Sequence, residues 1–158
     1  MALNLTQKER TLLEDQKNHE EVCIKKYTNY ANNAQDQQLK QLFNTLASQE
    51  QQHLNTINQL LSGQIPNTSS QQQNQQGVNQ IQLQPGMQAN TMQNQNDAIL
   101  CNDMLMTEKY VSSTYDQTIF EQTNGNVRQI LNHIQKEEQQ HGEQIYNYMR
   151  NMGMYNAK

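Results

Sequence analysis

Leu39-Lys-Gln-Leu-Phe-Asn-Thr-Leu-Ala-Ser-Gln-Glu-Gln-Gln-His53 is echoed 88 residues later by Val127-Arg-Gln-Ile-Leu-Asn-His-Ile-Gln-Lys-Glu-Glu-Gln-Gln-His141. In each, apolar residues return in alternating steps of three and four, the stripe of a helix packed in a bundle. The first stripe runs Leu39, Leu42/Phe43, Leu46, Glu50, His53/Leu54, Ile57 and Leu60/Leu61. The second runs Val127, Ile130/Leu131, Ile134, Glu138, His141, Ile145, Tyr148/Met149 and Met152. Both stripes put a Glu-x-x-His motif where periodicity predicts core.

Each stretch is preceded by a second helical pattern. Thr6-Gln7-Lys8-Glu9 has the form of a capping box. From it a helix continues through Leu12/Leu13, Glu20, Cys23/Ile24, Tyr27, Ala31 and Ala34. A turn over 32–36 follows, with Asp36 as the expected N-cap of the next helix. In the second half, Ile99, Cys101, Met104/Leu105, Glu108, Val111, Tyr115 and Ile119 predict the matching helix, and an Asn-Gly pair marks a turn over 122–126. The expectation is an all-α chain, a four-helix bundle made of two αα-hairpins, 6–61 and 97–152, in one domain.

Between the hairpins, 62–96 contains no Asp, Glu, Lys or Arg, but both prolines and 18 Gln or Asn residues. It reads as a low-complexity linker that stays solvated, with Ile65, Val78, Ile81, Leu83 and Met87 available as tethers. Helices of about 27 residues are about 40 Å long. A linker of this size can cross that length, at about 3.3 Å per extended residue, and one long crossover is the ferritin-like topology. A flexible tether within an up-down bundle satisfies the same length.

Composition narrows the function. The chain has 158 residues and net charge −4, and its 29 Gln and 21 Asn make nearly a third of it carboxamide. Its apolar runs are too short to cross a membrane, and the N-terminus has no basic segment leading into an apolar one. Scattered lysines on an acidic chain offer no footprint for nucleic acid. The expected partners therefore include neither membrane nor nucleic acid. Cys23 and Cys101 form no CxxC pair.

The 88-residue shift carries Glu20 onto Glu108, Tyr27 onto Tyr115 and Glu50-x-x-His53 onto Glu138-x-x-His141. Glu and His at i and i+3 share a helix face. Each first-helix Glu and its partner Glu lie 14 to 16 residues from the hairpin turn, hence at one height. The six residues Glu20, Glu50, His53, Glu108, Glu138 and His141 thus fit the dimetal carboxylate pattern, one Glu from each of two helices and Glu-x-x-His from each of the others. Four carboxylates balance two divalent ions. Oxygen and imidazole donors suit Fe or Mn, with Zn also compatible. A single Glu-x-x-His on a polar helix is commonplace, whereas two in register on core stripes are not. A bundle with no ligand would place leucine there rather than bury four carboxylates.

The remaining candidates have plainer readings. Tyr27 and Tyr115 read as core packing, with a role beside the ligands as the second choice. Cys23 and Cys101 read as small hydrophobes. His19, Glu21, Glu137 and His133 read as solvated.

The opening Leu3-Asn-Leu-Thr-Gln-Lys-Glu-Arg10, the run 39–53 and the second Glu-Gln-Gln-His resemble the Coat F family of bacterial spore-coat proteins. The likeness takes in both helical segments, about 120 residues. It implies a ferritin-like fold related to rubrerythrins and manganese catalases. It also implies synthesis in the mother-cell cytoplasm, deposition in the spore coat, and other coat proteins as partners. Unlike rubrerythrins, this chain has no CxxC pairs for a rubredoxin-type iron. Two functions remain open: a structural coat component, or a dimetal oxidoreductase acting on peroxide or O₂. A homodimer is compatible with a bundle this poor in apolar residues, and the Gln-rich linker suggests Gln–Lys cross-linking.

Overall fold

The computed structural model describes residues 2–67 and 94–155. They form four helices, α1 (Gln7–Asn33), α2 (Gln37–Leu61), α3 (Asn94–Glu121) and α4 (Gly125–Asn151), and no strand is found among the described residues. None of these helices is long and apolar enough to cross a membrane. The expected linker residues Asn94–Asn96 belong to the first turn of α3. Residues 68–93, and with them Val78, Ile81, Leu83, Met87 and the linker glutamines other than Gln64 and Gln95, lie outside the described residues.

Helix starts follow from local chemistry. Thr6 and Glu9 make the reciprocal capping box. Asp36 caps α2 by accepting from Gln38 N–H. Asn124 caps α4 by accepting from the Asn126 and Val127 N–H groups. These side chains satisfy amide donors that the first helical turn leaves free. At its end α2 passes into Gly63, whose φ of +85° suits a residue without Cβ.

α1 packs on α2, α3 on α4, and α1 on α3. Cross-helix bonds give the directions. Gln16 Nε2 donates to Thr118 Oγ1 (3.0 Å), whereas Lys26 Nζ and Tyr30 OH donate to Asp103 (2.9 and 2.7 Å). Residues rising along α1 thus meet residues falling along α3, so the two are antiparallel. Since each hairpin is antiparallel within itself, α2 and α3 run the same way. Leu61 and Asn94 therefore lie at opposite ends of the bundle. This rejects the up-down alternative and leaves one long crossover between the hairpins.

The core follows the predicted stripes on α2 and α4, from Leu39 to Leu60 and from Val127 to Met149. α3 departs from expectation. Ile99 is 68% exposed and Asp97 is buried in its place. Met106, Tyr110 and Phe120 are also exposed, so α3 is apolar on an outer face as well as an inner one. A stripe read from spacing could not tell the two faces apart.

The candidate metal centre

Glu20 on α1, Glu50 and His53 on α2, Glu108 on α3, and Glu138 and His141 on α4 are all buried, none more than 4% exposed. Their ligand atoms form two overlapping quartets, Glu20, Glu50, His53 and Glu138, and Glu50, Glu108, Glu138 and His141. Within each quartet one donor atom from every residue lies within 4.8 Å of the others. Glu50 and Glu138 belong to both. The 88-residue shift exchanges the quartets, so the internal repeat of the sequence is a pseudo-twofold relation of the site.

Both imidazoles turn Nδ1 toward the carboxylates. His53 Nδ1 lies 3.1 Å from Glu50 Oε2 and 3.1 Å from Glu138 Oε1. His141 Nδ1 lies 2.9 Å from Glu50 Oε1 and 3.5 Å from Glu108 Oε1. The two rings stack with centroids 5.6 Å apart.

The electrostatics are those of a crowded anion. Burial, then the charges of Glu20 and Glu108, drive the Glu50 carboxyl above its usual range. Burial and the neighbouring Glu138 push Glu108 up to about 7. Glu138 is raised by burial and by Glu50. Glu20 alone is lowered, because its interactions with Glu50 and with His53, whose Nδ1 lies 3.7 Å from Oε2, outweigh its burial. Burial disfavours charged imidazoles, but the surrounding carboxylates reverse this and raise both His53 and His141. Without a cation the cluster must hold protons instead.

The donor set fits divalent metal on a second observation. Glu20 Oε2, Glu108 Oε2 and Glu138 Oε2 are buried without a hydrogen-bond partner among the described residues. Buried carboxylate oxygens are normally paired, and leaving one bare costs on the order of 1–3 kcal/mol or more. Three bare oxygens on one layer, beside two imidazoles, are an oxygen and nitrogen donor set with lone pairs to give.

The tyrosines do more than pack. Tyr27 OH donates to Glu108 Oε1, and Tyr115 OH donates to Glu20 Oε1 at 2.5 Å. Each crosses from one hairpin to the carboxylate of the other. Burial, followed by the Glu charges, raises both phenols well above their usual range, which keeps them protonated donors.

Glu137 and His133 correct the sequence reading. Glu137 Oε2 pairs with His53 Nε2 at 3.4 Å, and Glu137 Oε1 pairs with His133 Nε2. A histidine whose Nε2–H donates to a carboxylate keeps Nδ1 free as a ligand. The pseudo-twofold equivalent of Glu137 is Gln49, and His141 Nε2 is buried without a partner among the described residues. His19 is half-buried rather than solvated, its ring edge-on to Tyr110.

Two further anchors escaped the motif reading. Glu9 Oε1 accepts from Thr123 N–H (2.7 Å) and Thr123 Oγ1 (2.8 Å). Asp97 accepts from the N–H groups of Gln35 (2.9 Å) and Asp36 (3.0 Å). Each first-helix carboxylate thus ties the turn of the opposite hairpin. The shift that pairs the ligands also pairs Glu9 with Asp97 and Thr123 with Gln35, so the repeat carried this signal.

Residues 96–158 match the family model described as the Coat F domain. The match takes in the second hairpin, whereas the likeness expected for the first hairpin lies outside it. No curated protein and no solved structure matches the chain. Over residues 96–158, the second hairpin, the chain is therefore similar to the Coat F domain.

Proposed function

We propose that this chain is a spore-coat protein, one ferritin-like domain whose core holds two divalent metal ions, Fe or Mn by preference and Zn by the same donors. The observation that carries the metal reading is the pair of overlapping quartets with Glu50 and Glu138 in common. Glu20 and His53 would complete the coordination of one ion, and Glu108 and His141 that of the other. Four carboxylates against two divalent ions give a nearly neutral core, which removes the penalty of burying the acids unpaired.

The coat role rests on the Coat F match. On this reading the protein is made in the mother-cell cytoplasm, laid down in the coat and held by other coat proteins. The exposed Ile99, Met106, Tyr110 and Phe120 on α3 supply surface for assembly, a homodimer included, and the charge-free sequence 62–96 brings carboxamide groups that can hydrogen-bond to partners. Elemental analysis of purified, reconstituted protein should return close to two Fe or Mn per chain. A value near zero would remove the metal centre and leave only the coat role.

A second reading is a dimetal oxidoreductase acting on peroxide or O₂. The observation in its favour is a groove of about 450 Å³ between α3 and α4, with Glu108 and Glu138 among its lining residues. Bound Fe or Mn would supply the redox chemistry. The chain's own part is to hold the carboxylates, keep Tyr27 and Tyr115 as protonated donors to them, and exclude bulk water. Peroxide consumption by the loaded protein that falls with Glu50→Ala and His141→Ala supports this reading. Consumption unchanged by both substitutions rules it out.

A further inference from the structure

The two hairpins differ in what covers the carboxylate cluster from outside. The α3–α4 groove is walled by oxygen-bearing side chains, Ser112, Ser113 and Asp116 from α3 and Gln135 and Gln139 from α4. Gln135 Nε2 donates to the Ser112 carbonyl (2.8 Å) and to Asp116 Oδ1 (2.6 Å), which joins the two walls. Gly142 also lines the groove. A Cβ added there would lie 3.8 Å from Leu105 Cδ1 and 4.0 Å from Glu108 Cβ. That is ordinary contact for one carbon, so any longer side chain would have to extend over Glu108 or out across the groove.

The 88-residue shift shows what the first hairpin puts in the same places. Leu54 stands for Gly142, Ile24 for Ser112 and Ala47 for Gln135. All three are half-buried. Aliphatic carbon at these positions sheds water. The hydroxyl, carboxamide and carboxylate oxygens opposite can replace the hydration shell of a hard cation stepwise. On the outer wall the carboxylate of Asp116 offsets the groove's cation, Lys109.

Resting on the metal-centre reading above, we infer that divalent cations reach the cluster through the α3–α4 groove, past Gly142, and that the α1–α2 face is closed to them by Leu54 and Ile24. The site is symmetric in its ligands and one-sided in its access. Asp116, exposed on the outer part of the wall, is the first carboxylate an arriving cation meets. Glu108 and Glu138 are the last, and they hand the ion to ligands they themselves form. The ion bound by the Glu20 quartet takes the same road, since Glu138 belongs to both quartets.

The test is stopped-flow uptake of Co²⁺ by the full-length metal-free protein, followed by cobalt absorption, with the final cobalt count measured on the same samples. Gly142→Leu, which copies the first hairpin, should slow uptake on the order of tenfold while the final count stays at the wild-type value. Asp116→Lys lies away from the ligands and should slow uptake roughly threefold or more, an effect that shrinks as salt is added. Leu54→Ala should leave the rate unchanged or raise it. Wild-type rates in Asp116→Lys and in every folded Gly142→Leu sample, with a full count, would overturn the route and leave the metal centre standing. A wild-type protein that takes up no cobalt would overturn the metal centre itself, and the route with it.

Discussion

The two hairpins hold the same three residues, two Glu and one His, at the same heights, yet they surround them differently. On the first, His53 has Glu137 behind its Nε2, and the positions facing outward carry Leu54 and Ile24. On the second, Nε2 of His141 has no partner among the described residues, and the equivalent positions are Gly142 and Ser112. The repeat keeps the buried Glu and His residues that could hold a metal ion. Divergence touched what orients the ligands and what reaches them. The comparison separates residues that make the site from residues that make its two ends unequal.

The hardest way to break the equivalence is at the shared ligands. Glu50→Gln or Glu138→Gln removes a donor from both quartets, so titration calorimetry should show both ions lost. Glu20→Gln should cost one ion and spare the other, held by Glu108 and His141. If the shared and unshared substitutions lose metal alike, the two-quartet description is wrong.

Next in size is the contrast behind the imidazoles. Glu137→Gln should weaken the ion on the His53 side by roughly 10–100-fold, the usual cost of losing a carboxylate that orients a ligating histidine. The ion on the His141 side should change little. Gln49→Glu would give that imidazole its missing acceptor and narrow the gap between the sites. Competition with a chelator reads both.

The anchors at the two ends sharpen the comparison through stability. Glu9 is held at about 2, against an ordinary 4.5, because the N–H groups of Thr123 and Thr6 outweigh its burial. A lowered carboxyl stabilises the fold above its unfolded value, and that stability fades as pH falls through 4.5 toward 2. Glu9→Gln should therefore destabilise the protein by about 2 kcal/mol at neutral pH. The difference from wild type should close in acid, as followed by urea unfolding over a pH series. The smallest effect belongs to α3. Ile99→Gln, on its outer face, should change the unfolding free energy from urea titration by less than about 0.5 kcal/mol.

Much of this was legible in the residues. Spacing on α2 and α4 is clean because each is apolar on one face only, so Glu50, His53, Glu138 and His141 could be placed in the core without coordinates. Thr6 and Asp36 announced their helices through cap chemistry. The direction of α2 against α3 was not legible, since a long linker permits either topology and only cross-helix bonds such as Lys26 to Asp103 decide it. Ile99 misled because α3 has two apolar faces. Glu137 and His133 misled because a residue one position off the core stripe can still reach the neighbouring helix. Glu9 served its own cap and Thr123 together, and sequence reveals the local half of such a double role more readily than the distant one.

The central claim is that the repeated Glu and Glu-x-x-His residues converge as one site with two metal positions. The most direct test is a crystal of the protein loaded with Mn²⁺, with anomalous data collected at the manganese edge. Two peaks are expected, one among Glu20, Glu50, His53 and Glu138 and the other among Glu50, Glu108, Glu138 and His141, with Glu50 and Glu138 touching both. A single peak, or none within the bundle, would contradict the claim.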